Sequence, residues 1–348
     1  MASEFRGYAL LVGVGECEYA RLSLPVTVKD GTALRDILVD PALCGYRSEN
    51  IQLLANESAT QRGILEGLGW LKGEVEQDRR ATVVVFYSGH GWRNEAGDYY
   101  LLPHDFDPMD KQGSALSAAE FTQALREIEA ERLLVIVDCC HAAGMAAAKS
   151  PKLEQFQKGL VAPGKGLFGP LAEKSGRAVF LSCSGEQSSY IRDDKTLSVF
   201  TFHLLEALRG AGSLPGDLTV TVSQLMKHLG RSVGETARGM GVAQDPLFSF
   251  ETEDFAVALL RGGKGLPEGG WDAVKGEAMS GAQVQVQASG DRSIATTGDV
   301  NGPIVTGDGN VVGSGNIVQK LNQRGQNNMN LGSAQNFSIG DTIYNDKE

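Results

Sequence analysis

Two short segments carry side chains that could do chemistry together. The first is Ser88-Gly-His-Gly91, which follows the apolar run Thr82-Val-Val-Val-Phe-Tyr87. The second is Asp138-Cys-Cys-His141, which follows Leu133-Leu-Val-Ile-Val137. Each run reads as a buried parallel strand, so His90 and the cysteine pair stand at strand carboxyl ends, the rim at which open parallel sheets bind ligands. A histidine there can take a thiol proton, polarise a carbonyl and later protonate a leaving amine; a cysteine there can attack. Glycines on both sides of His90 would let a substrate backbone approach, and the amide of Gly91 could help hold an oxyanion. A zinc reading of His90, Cys139, Cys140 and His141 is disfavoured, because adjacent ligands seldom satisfy one tetrahedral ion.

The elements that must position these groups follow from the pattern. Strands are expected over Tyr8–Val14, Thr82–Tyr87, Arg132–Val137 and Arg177–Leu181. Helices are expected over Asp30–Val39, Gln61–Gln77, Ser117–Glu129, Leu197–Arg209 and Ser223–Arg238, and Pro246–Phe250 could add an edge strand. That alternation implies an α/β domain with a mostly parallel central sheet flanked by helices over residues 1–260. Residues 144–176 form a long connection with Lys149, Lys152, Lys158, Lys165 and Lys174. Residues 261–280 read as a Gly-rich linker, and 281–348 as a Gly/Asn-rich tail with short echoes such as Gly309-Asn-Val-Val and Gly315-Asn-Ile-Val. Such a tail suits a β-solenoid, a cross-β assembly or a disordered solubilising segment.

The 348 residues are 42% hydrophobic with a formal charge of -11. That balance disfavours nucleic acid and anionic membranes as partners and favours a basic substrate. Cys17, Cys44, Cys139, Cys140 and Cys183 have neither disulfide-framework nor metal-knuckle spacing, so reduced thiols in the cytoplasm are expected. The run Tyr8–Val14 is too short for a signal peptide and no run is long enough for a spanning helix. Gly13-Val-Gly15 lacks the third glycine of a dinucleotide loop, since Glu18 stands there. Ser88 lacks the turn of a hydrolase serine, and His104, His203 and His228 are assigned structural roles.

Tyr87-Ser-Gly-His-Gly91, Asp138-Cys-Cys-His141, the separation of 50 positions between His90 and Cys140, and Tyr100-Leu-Leu-Pro-His-Asp105 resemble the caspase and metacaspase family over about residues 6–250. The resemblance implies a caspase-like three-layer fold and a cysteine endopeptidase with Cys140 as nucleophile and His90 as its partner. Metacaspases cleave after Arg or Lys, and the resemblance assigns Asp30 and Asp138 to the pocket that receives the basic side chain. An alternative role for Asp30 is to cap a helix. Ser182, Cys183 and Ser184 resemble the strand end and loop that pair with substrate backbone. No redox or organic cofactor is implied. Calcium activation, which the family brings with it, is left open by Ile191, which stands where the pattern has an acid. The 144–176 connection lies where relatives are self-processed, and the tail resembles recruitment motifs of bacterial conflict and cell-death proteins. The rival expectation is a non-catalytic scaffold whose tail drives assembly.

Overall fold

The computed structural model describes residues 5–139, 156, 158–164, 168, 171, 174–183, 187–250 and 254–261, together with backbone strands between 294 and 345. The elements run β1 (Gly7–Gly13), α1 (Val26–Val39), β2 (Ile51–Ala55), α2 (Gln61–Gln77), β3 (Thr82–Gly89), β4 (Gly91–Arg93), β5 (Tyr99–Leu101), α3 (Lys111–Ser114), β6 (Leu116–Ser117) and α4 (Ala118–Arg126). They continue with β7 (Arg132–Cys139), β8 (Arg177–Leu181), α5 (Val199–Glu206), β9 (Thr219–Thr221), α6 (Val222–Gly239), β10 (Leu247–Phe250) and β11 (Ala256–Leu259).

The central sheet has the order β10-β8-β7-β3-β1-β2. All pairs are parallel except β10, which lies antiparallel on β8 as an edge. Every residue of β3 is buried, as expected of a strand covered on both faces; each large apolar side chain there contributes about 1.5–3 kcal/mol. Strand alternation splits the sheet's side chains between two cores. Leu11, Val84, Phe86, Leu134, Ile136 and Phe180 meet α1, α5 and α6 on one face. Leu10, Val85, Val135 and Val179 meet α2 and α4 on the other.

The four expected core strands are present, as is the edge strand at Leu247–Phe250. β2 is an additional edge strand; its sequence Ile-Gln-Leu-Leu-Ala is only half-buried throughout and lacks a strong β signal. The first helix begins at Val26 instead of Asp30, because Gly13 at the end of β1 lets the first turn of α1 press against it. A Cβ on Gly13 would stand 2.6 Å from the Thr27 carbonyl oxygen. Ser117 caps α4 as read, accepting a bond from the Glu120 amide. α5 ends at Glu206 and gives way to one wide π turn over Ala207–Ala211, in which Gly210 takes φ 101°.

Backbone contacts divide the chain into Met1–Ala273 and Val274–Glu348. In the second unit, seven short strands pair into two small sheets, and Asn310–Gly313 runs parallel to Asn328–Leu331. The two Gly-Asn echoes enter different sheets. Among the described residues, no helix is long and apolar enough to cross a membrane.

Candidate active site

The register of β3 against β7 pairs Ser88 with Asp138 and Gly89 with Cys139. His90 and Cys140 are each one peptide bond beyond that last pair. Cys140, His141 and Ser184 lie outside the described residues.

His90 is 5% exposed. Its carbonyl accepts from the Leu102 amide and from the Tyr87 hydroxyl, both at 3.0 Å. The histidine backbone is thereby fixed between its own strand and the β4–β5 hairpin. The flanking glycines make room for neighbouring tyrosine side chains. A Cβ on Gly89 would meet the Tyr87 hydroxyl at 2.6 Å, and one on Gly91 would collide with the Tyr99 hydroxyl. The Tyr87 and Tyr99 rings therefore take the space that side chains at these two positions would need.

Cys139 faces the α2/α4 core, 1% exposed. Burial holds its thiol well above the ordinary range, although the Tyr99 hydroxyl beside it favours the thiolate. A thiol so placed is a poor nucleophile. Cys183 is likewise fully buried, its thiol pushed up to about 12 by burial and by the nearby Asp138 charge, and it donates to the Gln187 carbonyl at 3.5 Å. Ser182 is 1% exposed; its amide donates to the Val137 carbonyl, and its own carbonyl accepts from Gln244.

Asp30 and Asp138 come together although 108 positions separate them, and both are fully buried. Asp30 lies one turn inside α1, so it does not cap that helix; Pro25 stands at the cap position. Its carboxylate accepts from Ser88 Oγ at 3.1 Å and from the Ser198 amide at 2.9 Å. Asp138 accepts from Ser189 Oγ at 2.7 Å, Ser198 Oγ at 2.5 Å and Thr201 Oγ1 at 3.2 Å. Ser198 is the N-cap of α5, so both acids lie against a helix N-terminus, where the dipole favours negative charge. Burial first, and the neighbouring Asp138 second, push the Asp30 carboxyl well above the usual carboxylate range.

Sequence reasoning overlooked this ring of hydroxyls. Ser88 sits two residues before His90 on one strand face, a relation the period of two could have shown. Ser189, Ser198, Thr201 and Gln244 gave no such signal, since only the fold brings them to the acids. Gln244 is 1% exposed and ties the loop together, donating to the Ser182 carbonyl and Ser189 Oγ while accepting from the Tyr190 amide. Ser88 serves the acid pair as a donor. His104 Nδ1 donates to the Glu16 carbonyl at 2.8 Å, and Asp105 accepts from the Gln61 amide at the start of α2, so that segment fastens the hairpin to a helix.

In the segment where the family pattern departs, Asp194 is bound by Arg192 at 2.8 Å and by both the amide and hydroxyl of Thr196. These bonds hold its carboxyl well below the usual range.

Among known proteins, the caspase domain family model matches residues 6–256. Solved structures similar to this chain include protein GSU0716 from Geobacter sulfurreducens, at 17% identity and TM-score 0.47, covering 74% of this chain and 98% of that one. Caspase-1 from Spodoptera frugiperda has 14% identity and TM-score 0.44, covering 76% and 94%. None of the curated proteins compared with the chain matches it. The match over residues 6–256 shows the family: the chain belongs to the caspase domain family, a family of cysteine-peptidase type.

Proposed function

We propose that the protein is a cysteine endopeptidase that cleaves after Arg or Lys, with Cys140 as nucleophile and His90 as the group that handles its proton. The observation that carries the specificity is the buried pair Asp30 and Asp138. Among the described residues, the hydrogen bonds to both carboxylates come from hydroxyls and one amide, with no cationic side chain among the donors. Two acids held together out of water are a costly arrangement that a guanidinium or ammonium group relieves, the guanidinium with bidentate bonds. The side chains that close over the acids, Ser198 and Ser189, belong to the start of α5 and to the preceding loop, the elements that must yield when a basic side chain enters.

The support for the nucleophile is positional. Cys139 and Cys183 are buried with raised thiols, which leaves Cys140, next to the last paired residue of β7, to match His90 next to the last residue of β3. The thiolate attacks the carbonyl to form an acyl enzyme, His90 protonates the leaving amine, and water then releases the acid. The Gly91 amide is proposed as an oxyanion donor, and the Ser182, Cys183 and Ser184 backbone as the strand edge for substrate. No organic cofactor enters, and the bonds to Asp194 favour activity without calcium. The free, buried Cys17, Cys44, Cys139 and Cys183 suit a reducing cytoplasm.

A panel of fluorogenic peptides with Arg, Lys or Asp before the cleaved bond, each with and without calcium, tests the reading. Turnover of the Arg and Lys peptides, insensitive to chelator, is expected; cleavage mainly after Asp would overturn the pocket assignment.

A further inference from the structure

Two histidines that the sequence leaves in structural roles meet around one carboxylate in the seam between α5 and α6. His203 and Glu206 are three residues apart on α5 and so share a helix face. His228 reaches them from α6. His203 Nδ1 lies 2.7 Å and His228 Nε2 3.1 Å from the same Glu206 oxygen, Oε2, and the three ligand atoms all fall within 4.8 Å of one another. The side chains are 7%, 4% and 11% exposed for His203, Glu206 and His228, so the group is recessed, with His228 the most exposed of the three. The opposite ring nitrogens face hydroxyls of α6: His203 Nε2 lies 2.7 Å from Thr236 Oγ1 and His228 Nδ1 lies 3.5 Å from Ser232 Oγ.

We propose that His203, Glu206 and His228 form a zinc site outside the catalytic rim, with water in the fourth position. Two neutral imidazoles and a carboxylate are a donor set that zinc takes in tetrahedral geometry, and bonds of about 2.0–2.2 Å place neighbouring donors about 3.3 Å apart. The two nitrogen-to-oxygen separations need to open by about 0.2 to 0.6 Å, and the two ring nitrogens already lie within 4.8 Å of each other. Ligation requires each ring to carry its proton on the outer nitrogen, where Thr236 and Ser232 stand as acceptors; outer partners of this kind fix the tautomer and orientation of metal-bound histidines.

The site has a structural consequence, which rests on the pocket reading above although the site itself does not. Glu206 ends α5, and a wide turn follows it. Ser198 at the other end of the same eight-residue helix holds Asp30 and Asp138. Zinc would fasten α5 to α6 and so stiffen the element that closes over the acid pair.

The test uses the full-length chain with Cys140→Ala, which removes the proposed catalytic thiol as a competing ligand, and needs no activity readout. Zinc is titrated by calorimetry and cobalt(II) by visible absorption, beside the same chain carrying His228→Gln, with melting curves to verify folding. The expected result is one zinc per chain, cobalt d–d bands without thiolate charge-transfer absorption, and at least a tenfold loss of affinity in His228→Gln. Absence of zinc binding, or equal affinity in a folded His228→Gln chain, would overturn the proposal and leave a hydrogen-bonded staple only. Should that variant fail to fold, the cobalt spectrum of the parent decides: thiolate bands would place the metal on cysteine and overturn it equally.

Discussion

The proposed pocket holds Asp30 out of water, and burial of an acid is what the fold resists. With its folded pKa raised, it binds its proton more tightly in the native state than in the unfolded chain. The stability this lends is complete below the unfolded value, about pH 4, and is lost as pH rises through the folded pKa. Asp30→Asn keeps the shape, can still accept from the Ser198 amide and cannot ionise. It should raise the melting temperature at pH 7.5 by roughly 2–4 °C and flatten the loss of stability as pH rises above about 4. The same change removes one of the two acids from the proposed pocket and should lower kcat/KM for Arg peptides by about 30-fold or more. Thermal melts across pH and steady-state kinetics on one preparation check both; a variant that is less stable and equally active would contradict the assignment of Asp30.

α5 joins the two acids to the rest of the fold, and its cap is the point of attachment. Ser198→Ala removes the cap and the shortest bond to Asp138 together, at a cost of about 1–3 kcal/mol in denaturant unfolding, with a larger loss on Arg peptides than on a general thiol probe. The core strands were legible because Val and Ile runs bounded by Gly and polar residues have few other uses, and His90 was legible because it ends one of them. The start of α1 was not, because Val26-Thr-Val28 is β-branched, and in the fold it seats against Gly13 as the first turn of a helix. The hydroxyl ring was hidden for a related reason: Ser189 and Ser198 lie 51 and 60 positions from Asp138, and no local pattern marks that convergence. The long connection also divides once it is seen. Phe156 stacks on Phe106 at 5.6 Å, the Arg93 amide donates to the Gly159 carbonyl at 2.7 Å, and Tyr99 donates to the Val161 carbonyl at 2.9 Å. A docked stretch resists entry into an active site, so self-processing is expected at Lys149 or Lys152 and not at Lys158. Intact-mass analysis of wild type beside Cys140→Ala checks this; cleavage at Lys158, or equal masses after prolonged incubation, would count against it.

Over the whole molecule, a charge of -11 favours basic substrates and slows encounter with acidic ones. The second unit, from Val274, carries the β-pairing tail, whose proposed part is to concentrate catalytic domains so that one processes another. Deleting residues 281–348 should slow activation at low protein concentration while leaving kcat/KM of the already processed enzyme within about twofold, as expected of an effective-concentration device. Processing time courses at several dilutions read this directly. The central claim, that Cys140 and His90 form a peptidase for basic residues, is tested most directly by covalent trapping with an arginyl chloromethylketone followed by peptide mapping. The account predicts a single adduct on Cys140, absent with the aspartyl analogue and slowed at least 100-fold by His90→Ala. An adduct on Cys139 or Cys183, or a Cys140 adduct that forms as fast without His90, would contradict it.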